Sequence, residues 1–302
     1  MTIKTLKRPD GDRPEDFHLS RRGVGLAFFT GYAVAALSAE AAPITTDANG
    51  LTVETIKLPT KGQQIRAYVA RPADKARHPV VIVVNEIFGI HDYIKDTCRR
   101  LAKLGYVAIA PGFFDRAGDP APLSDMAQIR TIVNATPDPQ VMDDVGATLT
   151  FLKAQSYADS NHVGITGFCW GGGVTWLAAE TYPQIKAGVA WYGRLAPAAN
   201  AQPVAGQMWP AQKAKDLHGP VLGLYAGKDP LTDMVPEMRK QLAANNRYDS
   251  EIVVYPDAQH GFHADYRASY NEAAAKDGWK RMLAHFTKHG VSTPQALAAA
   301  KA

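Results

Sequence analysis

A chain of 302 residues is long enough to bury a substantial core, and α/β folds of this length commonly form one domain. With 46% hydrophobic and 21% charged residues and a net charge of +4, its lysines and arginines scattered among acids, it lacks the basic stripe that a nucleic-acid partner demands. Two cysteines, Cys98 and Cys169, exclude a disulfide framework and show no metal-ligand spacing, so neither metal nor cofactor is expected.

The first 42 residues read differently from the rest. A polar stretch is followed by Arg21-Arg22, a mildly apolar run from Gly23 to Leu37, and Ala39-Glu40-Ala41. That order is the charged region, apolar region and small-residue cleavage site of an export leader, and the paired arginines resemble a twin-arginine signal. The expectation is a leader over 1–42, export to the periplasm, and a single catalytic domain over 43–302; the other reading is an uncleaved tail on a cytoplasmic protein. The apolar run is too short to span a membrane.

Beyond Leu51, strand-like and helix-like segments alternate. Gln64 to Arg71 alternates in hydrophobicity as a half-buried edge strand would, whereas Val80 to Asn85 is a continuous β-branched run suited to a strand buried on both faces. Ile94 to Leu104 has helical spacing, and Tyr106 to Ala110 is apolar again. Pro139 to Ala154 reads as a helix with Asp138 as its N-cap. Val163 to Thr166, Ala187 to Trp191, Val221 to Tyr225 and Ile252 to Tyr255 are further core strands. Pro197 to Pro220 is a loop or short insertion. Asn271 to Lys288 closes the pattern as a helix, with Trp279, Met282, Leu283 and Phe286 on one face. Short buried strands alternating with helices predict an α/β fold with a mostly parallel sheet covered on both sides, and ligands bind beyond the carboxyl ends of such strands.

The informative residues lie just after strands. Gly167-Phe168-Cys169-Trp170-Gly171 has the G-x-nucleophile-x-G form of a strand-to-helix elbow, in which the helix N-terminus aims its amides at the nucleophile. A small buried cysteine is the commoner role for that residue. The order of its partners favours catalysis: an acid and then a histidine should follow, and here Asp229 and His260 each come directly after a strand. His260 would move the proton and Asp229 would fix its tautomer; Asp233 and His263 are the fallback acid and base. Glu86 opens the first loop after a core strand, where the second oxyanion amide of such enzymes is found. His78, His91, His162, His218, His285 and His289 receive no role.

At these residues the sequence resembles the dienelactone hydrolase (carboxymethylenebutenolidase) family of α/β-hydrolases, from about Thr55 to Phe286. Asn85-Glu86-Ile87-Phe88-Gly89 matches the family's E-I-F-G loop, Gly167-Phe168-Cys169-Trp170-Gly171-Gly172 its elbow, and Asp229 and His260-Gly261-Phe262 its acid and histidine positions. The resemblance implies a triad of Cys169, Asp229 and His260 and an oxyanion hole from the amides of Ile87 and Trp170. It also implies that Glu86 contacts the resting thiol and deprotonates it once substrate displaces the carboxylate. Arg116 falls where the family has a carboxylate-binding arginine, and Tyr192 matches an aromatic pocket position; with Phe88 they form the expected substrate-binding set. The family's best-known members have serine directly after the catalytic histidine and an arginine four residues beyond it. Those places hold Gly261 and Ala264 here, with Arg267 displaced. The expected function is hydrolysis of a small carboxylic ester or lactone through an acyl thioester. The competing readings are a peptidase or thioesterase on the same scaffold, and a redox sensor in which Cys98 is the resolving thiol.

Overall fold

The computed structural model describes residues 43–197 and 204–302. The expected leader over 1–42 lies outside the described residues, as do residues 198–203 of the expected 197–220 loop.

Eight strands form one sheet: β1 (Leu51–Pro59), β2 (Gln64–Pro72), β3 (His78–Val84), β4 (Val107–Pro111), β5 (Ala158–Phe168), β6 (Ile185–Trp191), β7 (Val221–Ala226) and β8 (Glu251–Tyr255), in the spatial order β1-β2-β4-β3-β5-β6-β7-β8. The β1–β2 and β2–β4 pairings are antiparallel and the remaining five are parallel. The Gln64 strand is therefore not the edge: β1 pairs along its whole length and takes that position. β3 explains its own sequence. Val80 to Val84 are fully buried because helices cover both faces, so no polar alternation survives.

The helices are α1 (Asp92–Lys103), α2 (Met126–Asn134), α3 (Asp138–Lys153), α4 (Trp170–Thr181), the short α5 (Pro210–Lys213), α6 (Val235–Ala244), α7 (Glu272–Lys288) and α8 (Pro294–Lys301). On β5, a Cβ at Gly164 would meet Phe286 of α7, and one at Gly167 would meet the start of α4. These two positions have opposite parity on the strand, so α4 and α7 lie on opposite faces of the sheet. Met282, Leu283 and Phe286 of α7 are fully buried and Trp279 is half-buried, as the helical spacing predicts.

The start of α3 differs from expectation by one residue. Pro137 is the cap and Asp138 is already helical; its carboxylate leaves the helix end and pairs with Arg194, 2.5 Å away, while accepting the Met208 amide. Tertiary demand for a buried counter-ion outweighs the local capping preference of aspartate.

Candidate active site

The elbow is built by steric exclusion. β5 ends at Phe168, α4 begins at Trp170, and Cys169 between them has φ 58° and ψ −118°, a conformation that costs a non-glycine residue roughly 1–3 kcal/mol. Its amide donates to Trp191 O at 3.0 Å and its carbonyl accepts from Gly172 N at 2.9 Å, which hold the turn. A Cβ at Gly167 would sit 2.2 Å from Gly171 O, and one at Gly171 would sit 2.6 Å from the carbonyl oxygens of Val84 and Asn85. Backbone cannot retreat from such contacts, so both positions require glycine.

This geometry buries the Cys169 side chain and aims the amides of Trp170 and Ile87 at its sulfur. Burial pushes the thiol well above its ordinary range and the nearby Glu86 carboxylate adds to the rise; Arg267 and the two amides pull the other way. At rest the sulfur is a protonated thiol. The pair of amides expected at an oxyanion position thus converges on one atom, from two loops 83 residues apart in the chain.

Asp229 and His260 meet through Nδ1 and Oδ2 at 2.6 Å, both only 3% exposed. The other Asp229 oxygen accepts the Leu231 amide at 3.0 Å, which leaves the carboxylate one orientation. Backbone bonds from Gly227 N to Tyr255 O and from Lys228 N to Ala258 O tie the acid loop to the histidine loop. Because Asp229 accepts at Nδ1, the neutral imidazole carries its proton there and presents Nε2 as a base. The fallback residues stand elsewhere. Asp233 is exposed, and His263 is stacked between Phe168 and Trp279 with Nδ1 at 2.5 Å from Tyr93 Oη. Burial, reinforced by Arg100, lowers the His263 pKa to about 3, so it stays neutral.

Glu86 is fully buried at the end of β3. Oε1 accepts from Arg267 Nη2 at 3.0 Å, Oε2 accepts from Tyr266 Oη at 2.7 Å, and His91 Nε2 lies 3.4 Å from Oε2. Burial alone would raise this carboxyl. Arg267, with help from His91 and Tyr266, reverses the sign and holds it at about 2. Glu86 acts electrostatically on Cys169, but its hydrogen bonds go to Arg267 and Tyr266. Arg267 is itself 7% exposed and lies 5.1 Å over the ring of Phe88.

Tyr192 has φ 39°, is fully buried, and packs its ring 5.0 Å from His260; Cys169, Glu86 and Arg267 all act on its hydroxyl, which has no hydrogen-bond partner among the described residues. Arg116 does not join this group. Its guanidinium is bidentate on Asp144 of α3, at 2.6 and 2.8 Å, and donates to Thr60. The Asp144 side chain is fully buried, so the arginine is committed to neutralising it. Sequence reasoning missed Tyr266, which carries no motif, gave His91 no role, and noted Arg267 only as an arginine displaced from the family's position after His260. Among the described residues no group of three or more His, Cys, Asp or Glu side chains could hold a metal, and no helix is long and apolar enough to cross a membrane.

Comparison with known proteins agrees with this architecture. The profile of the dienelactone hydrolase family matches residues 65–290. A protein of Methylorubrum extorquens with the provisional name carboxymethylenebutenolidase is 46% identical over 280 residues, covering 91% of this chain and 94% of its own. A Bradyrhizobium protein, provisionally named 2-oxo-3-(5-oxofuran-2-ylidene)propanoate lactonase, is 32% identical over 79% of this chain and 95% of its own. The crystal structure of a provisionally named dienelactone hydrolase from Klebsiella pneumoniae superposes with a TM-score of 0.74 at 46% identity, covering 79% of this chain and 99% of that one. The fold is that of the α/β-hydrolases, and the chain belongs to the dienelactone hydrolase family of hydrolases.

Proposed function

We propose that the chain hydrolyses small carboxylic esters or lactones through an acyl thioester on Cys169. The observation that carries this reading is the convergence of the Ile87 and Trp170 amides on the Cys169 sulfur, in an elbow strained to expose that one side chain to two donors. Such a pair stabilises the oxyanion of a tetrahedral intermediate, each donor being worth about 3 kcal/mol.

The chemistry follows from the protonation states. The buried thiol is neutral at rest and Glu86 is ionised, held by Arg267 and Tyr266. A substrate carrying a carboxylate competes for Arg267, and the released Glu86 then takes the thiol proton. The thiolate attacks the acyl carbon, the C–O bond to the leaving group breaks, and the thiol proton, relayed from Glu86 through His260 Nε2, goes to the leaving oxygen. Water, deprotonated by His260, then cleaves the thioester to free acid and thiol. Asp229 keeps the imidazole in the working tautomer throughout. Arg267 takes the substrate-carboxylate role that the resemblance gave to Arg116, because Asp144 occupies the latter. Phe88 and Tyr192 line the same space. A lactone substrate suits this reading, since an enolate leaves easily and one relative carries a lactonase name.

The paired arginines and small-residue site before Pro43 support export through the twin-arginine route and action in the periplasm. The redox alternative draws no support from Cys98, which is fully buried with its thiol pushed up by burial. The deciding experiment is Cys169→Ala assayed with p-nitrophenyl acetate and with an enol-lactone. Turnover should disappear with both, and undiminished turnover would end the proposal.

A further inference from the structure

Trp191-Tyr192-Gly193 follows β6 directly and is pressed against the elbow. The Cys169 amide donates to Trp191 O at 3.0 Å and the Tyr192 amide to Leu224 O at 2.8 Å, and a Cβ at Gly193 would lie 2.3 Å from the Gly172 carbonyl carbon. Held by these contacts, Tyr192 takes φ 39°, a left-handed conformation that is costly for a bulky residue. Its ring stands edge-on to His260 at 5.0 Å and to Phe262 at 5.3 Å. The hydroxyl at the end of that ring is buried and has no hydrogen-bond partner among the described residues. Burial, with the Glu86 carboxylate nearby, holds the phenol well above its ordinary range, so it keeps its proton and remains a donor. A buried donor without an acceptor lowers stability, and here it stands on a strained residue; both costs at one position point to a ligand. Arg267 has a donor to offer as well. Its Nε donates to Tyr266 Oη at 3.1 Å and its Nη2 to Glu86 Oε1 at 3.0 Å, while Nη1 has no acceptor among the described residues.

We infer that the Tyr192 hydroxyl is a specificity-determining donor that receives the substrate carboxylate together with Arg267, so that a neutral and a charged donor share one anion. The inference rests on the reading that a substrate carboxylate competes for Arg267. After burial, the charges that act most on the hydroxyl are Glu86, then Arg267, then Cys169. The hydroxyl therefore faces the anion-binding side of the site, within the field of the sulfur. A small molecule with its acyl carbon at Cys169 and its carboxylate at Arg267 brings that anion to the donor. The acyl oxygen does not need it, because the Ile87 and Trp170 amides already converge there. The class selected is a short ester or lactone that carries a carboxylate.

Tyr192→Phe removes only the hydroxyl. The assay compares two acetate esters on the full chain, neutral phenyl acetate and 4-acetoxybenzoate, whose carboxylate is the probe. For 4-acetoxybenzoate, KM should rise about tenfold or more with kcat near wild type, the mark of lost ground-state binding to a charged group. For phenyl acetate, kcat/KM should stay within about twofold. Equal losses on both esters, or no change on either, would overturn the inference. Thermal unfolding gives a second readout. Deleting an unpartnered buried hydroxyl should leave the midpoint of Tyr192→Phe at or above that of the wild type. A lowered midpoint, or a variant that does not fold, would show the hydroxyl to be structural and overturn the inference as well. Lost turnover in Cys169→Ala beside an unchanged Tyr192→Phe would sink this inference and leave the proposed function standing, so the two readings fail separately.

Discussion

Replacing Arg267 with alanine tests the electrostatics of the site most directly. The wild-type pair is fully buried on the Glu86 side, so solvent screening does not weaken the estimate. Holding the carboxyl at about 2, against an ordinary 4.5, corresponds to about 3 kcal/mol at ~1.4 kcal/mol per pH decade. Removing one member of a buried pair costs about 3–5 kcal/mol by an independent route, so the two magnitudes agree. The pH dependence separates charge from lost packing on Phe88 and Tyr266. Because the wild-type pKa is depressed, Glu86 contributes its full stabilisation above about 4.5 and loses it as pH falls through about 2. In the variant, burial faces only His91 and Tyr266, so the carboxyl rises above its unfolded value and costs stability as pH climbs through the carboxylate range. Urea unfolding followed by tryptophan fluorescence should therefore show a gap between wild type and variant that widens from about pH 4 to about pH 7. Adding Glu86→Gln to the variant should recover much of the loss, since the uncompensated charge disappears. A neutral-pH gap below about 1 kcal/mol, or one equal at both pH values, would refute the assignment of Arg267 as the group that keeps Glu86 charged.

Two further outcomes follow from the same geometry. Asp229→Asn leaves the shape intact but removes the acceptor that sets the His260 tautomer, so kcat for ester hydrolysis should fall by as much as ~10⁴ with KM little changed; a loss below about tenfold would show that the pair is structural. Arg116→Ala should lower stability by about 3 kcal/mol by stranding the buried Asp144 carboxylate, while kcat/KM for carboxylate-bearing esters stays within about twofold of wild type. A large rise in KM with stability unchanged would return Arg116 to the substrate.

Where sequence reasoning worked, the property was local. The β-branched run at Val80 to Val84 has only one comfortable environment, a strand covered on both faces. The stripe of Met282, Leu283 and Phe286 similarly specifies a helix and its inner side. Where it misread, a partner distant in the chain intervened. The Gln64 strand alternates like an edge, yet β1 pairs outside it and takes the edge position. Asp138 has the chemistry of a cap, yet the buried Arg194, 56 residues later, claims it. The helices Met126–Asn134, Val235–Ala244 and Pro294–Lys301 were not anticipated, since each is short and shows few buried residues on which a period could be counted.

The same division runs through the site. Glycines around Cys169, and an acid and a histidine each placed after a strand, are written in the chain because the elbow's steric limits act between near neighbours. Which carboxylate reaches an arginine's guanidinium is decided by the fold, not by the residues beside it in the chain. Arg116 and Arg267 are the same residue type in similar loops, but one meets Asp144 and the other meets Glu86 beside the sulfur. Ion pairs between segments far apart in sequence depend on where those segments come to rest, and only the folded sheet brings residues 86, 169 and 267 into one electrostatic cluster.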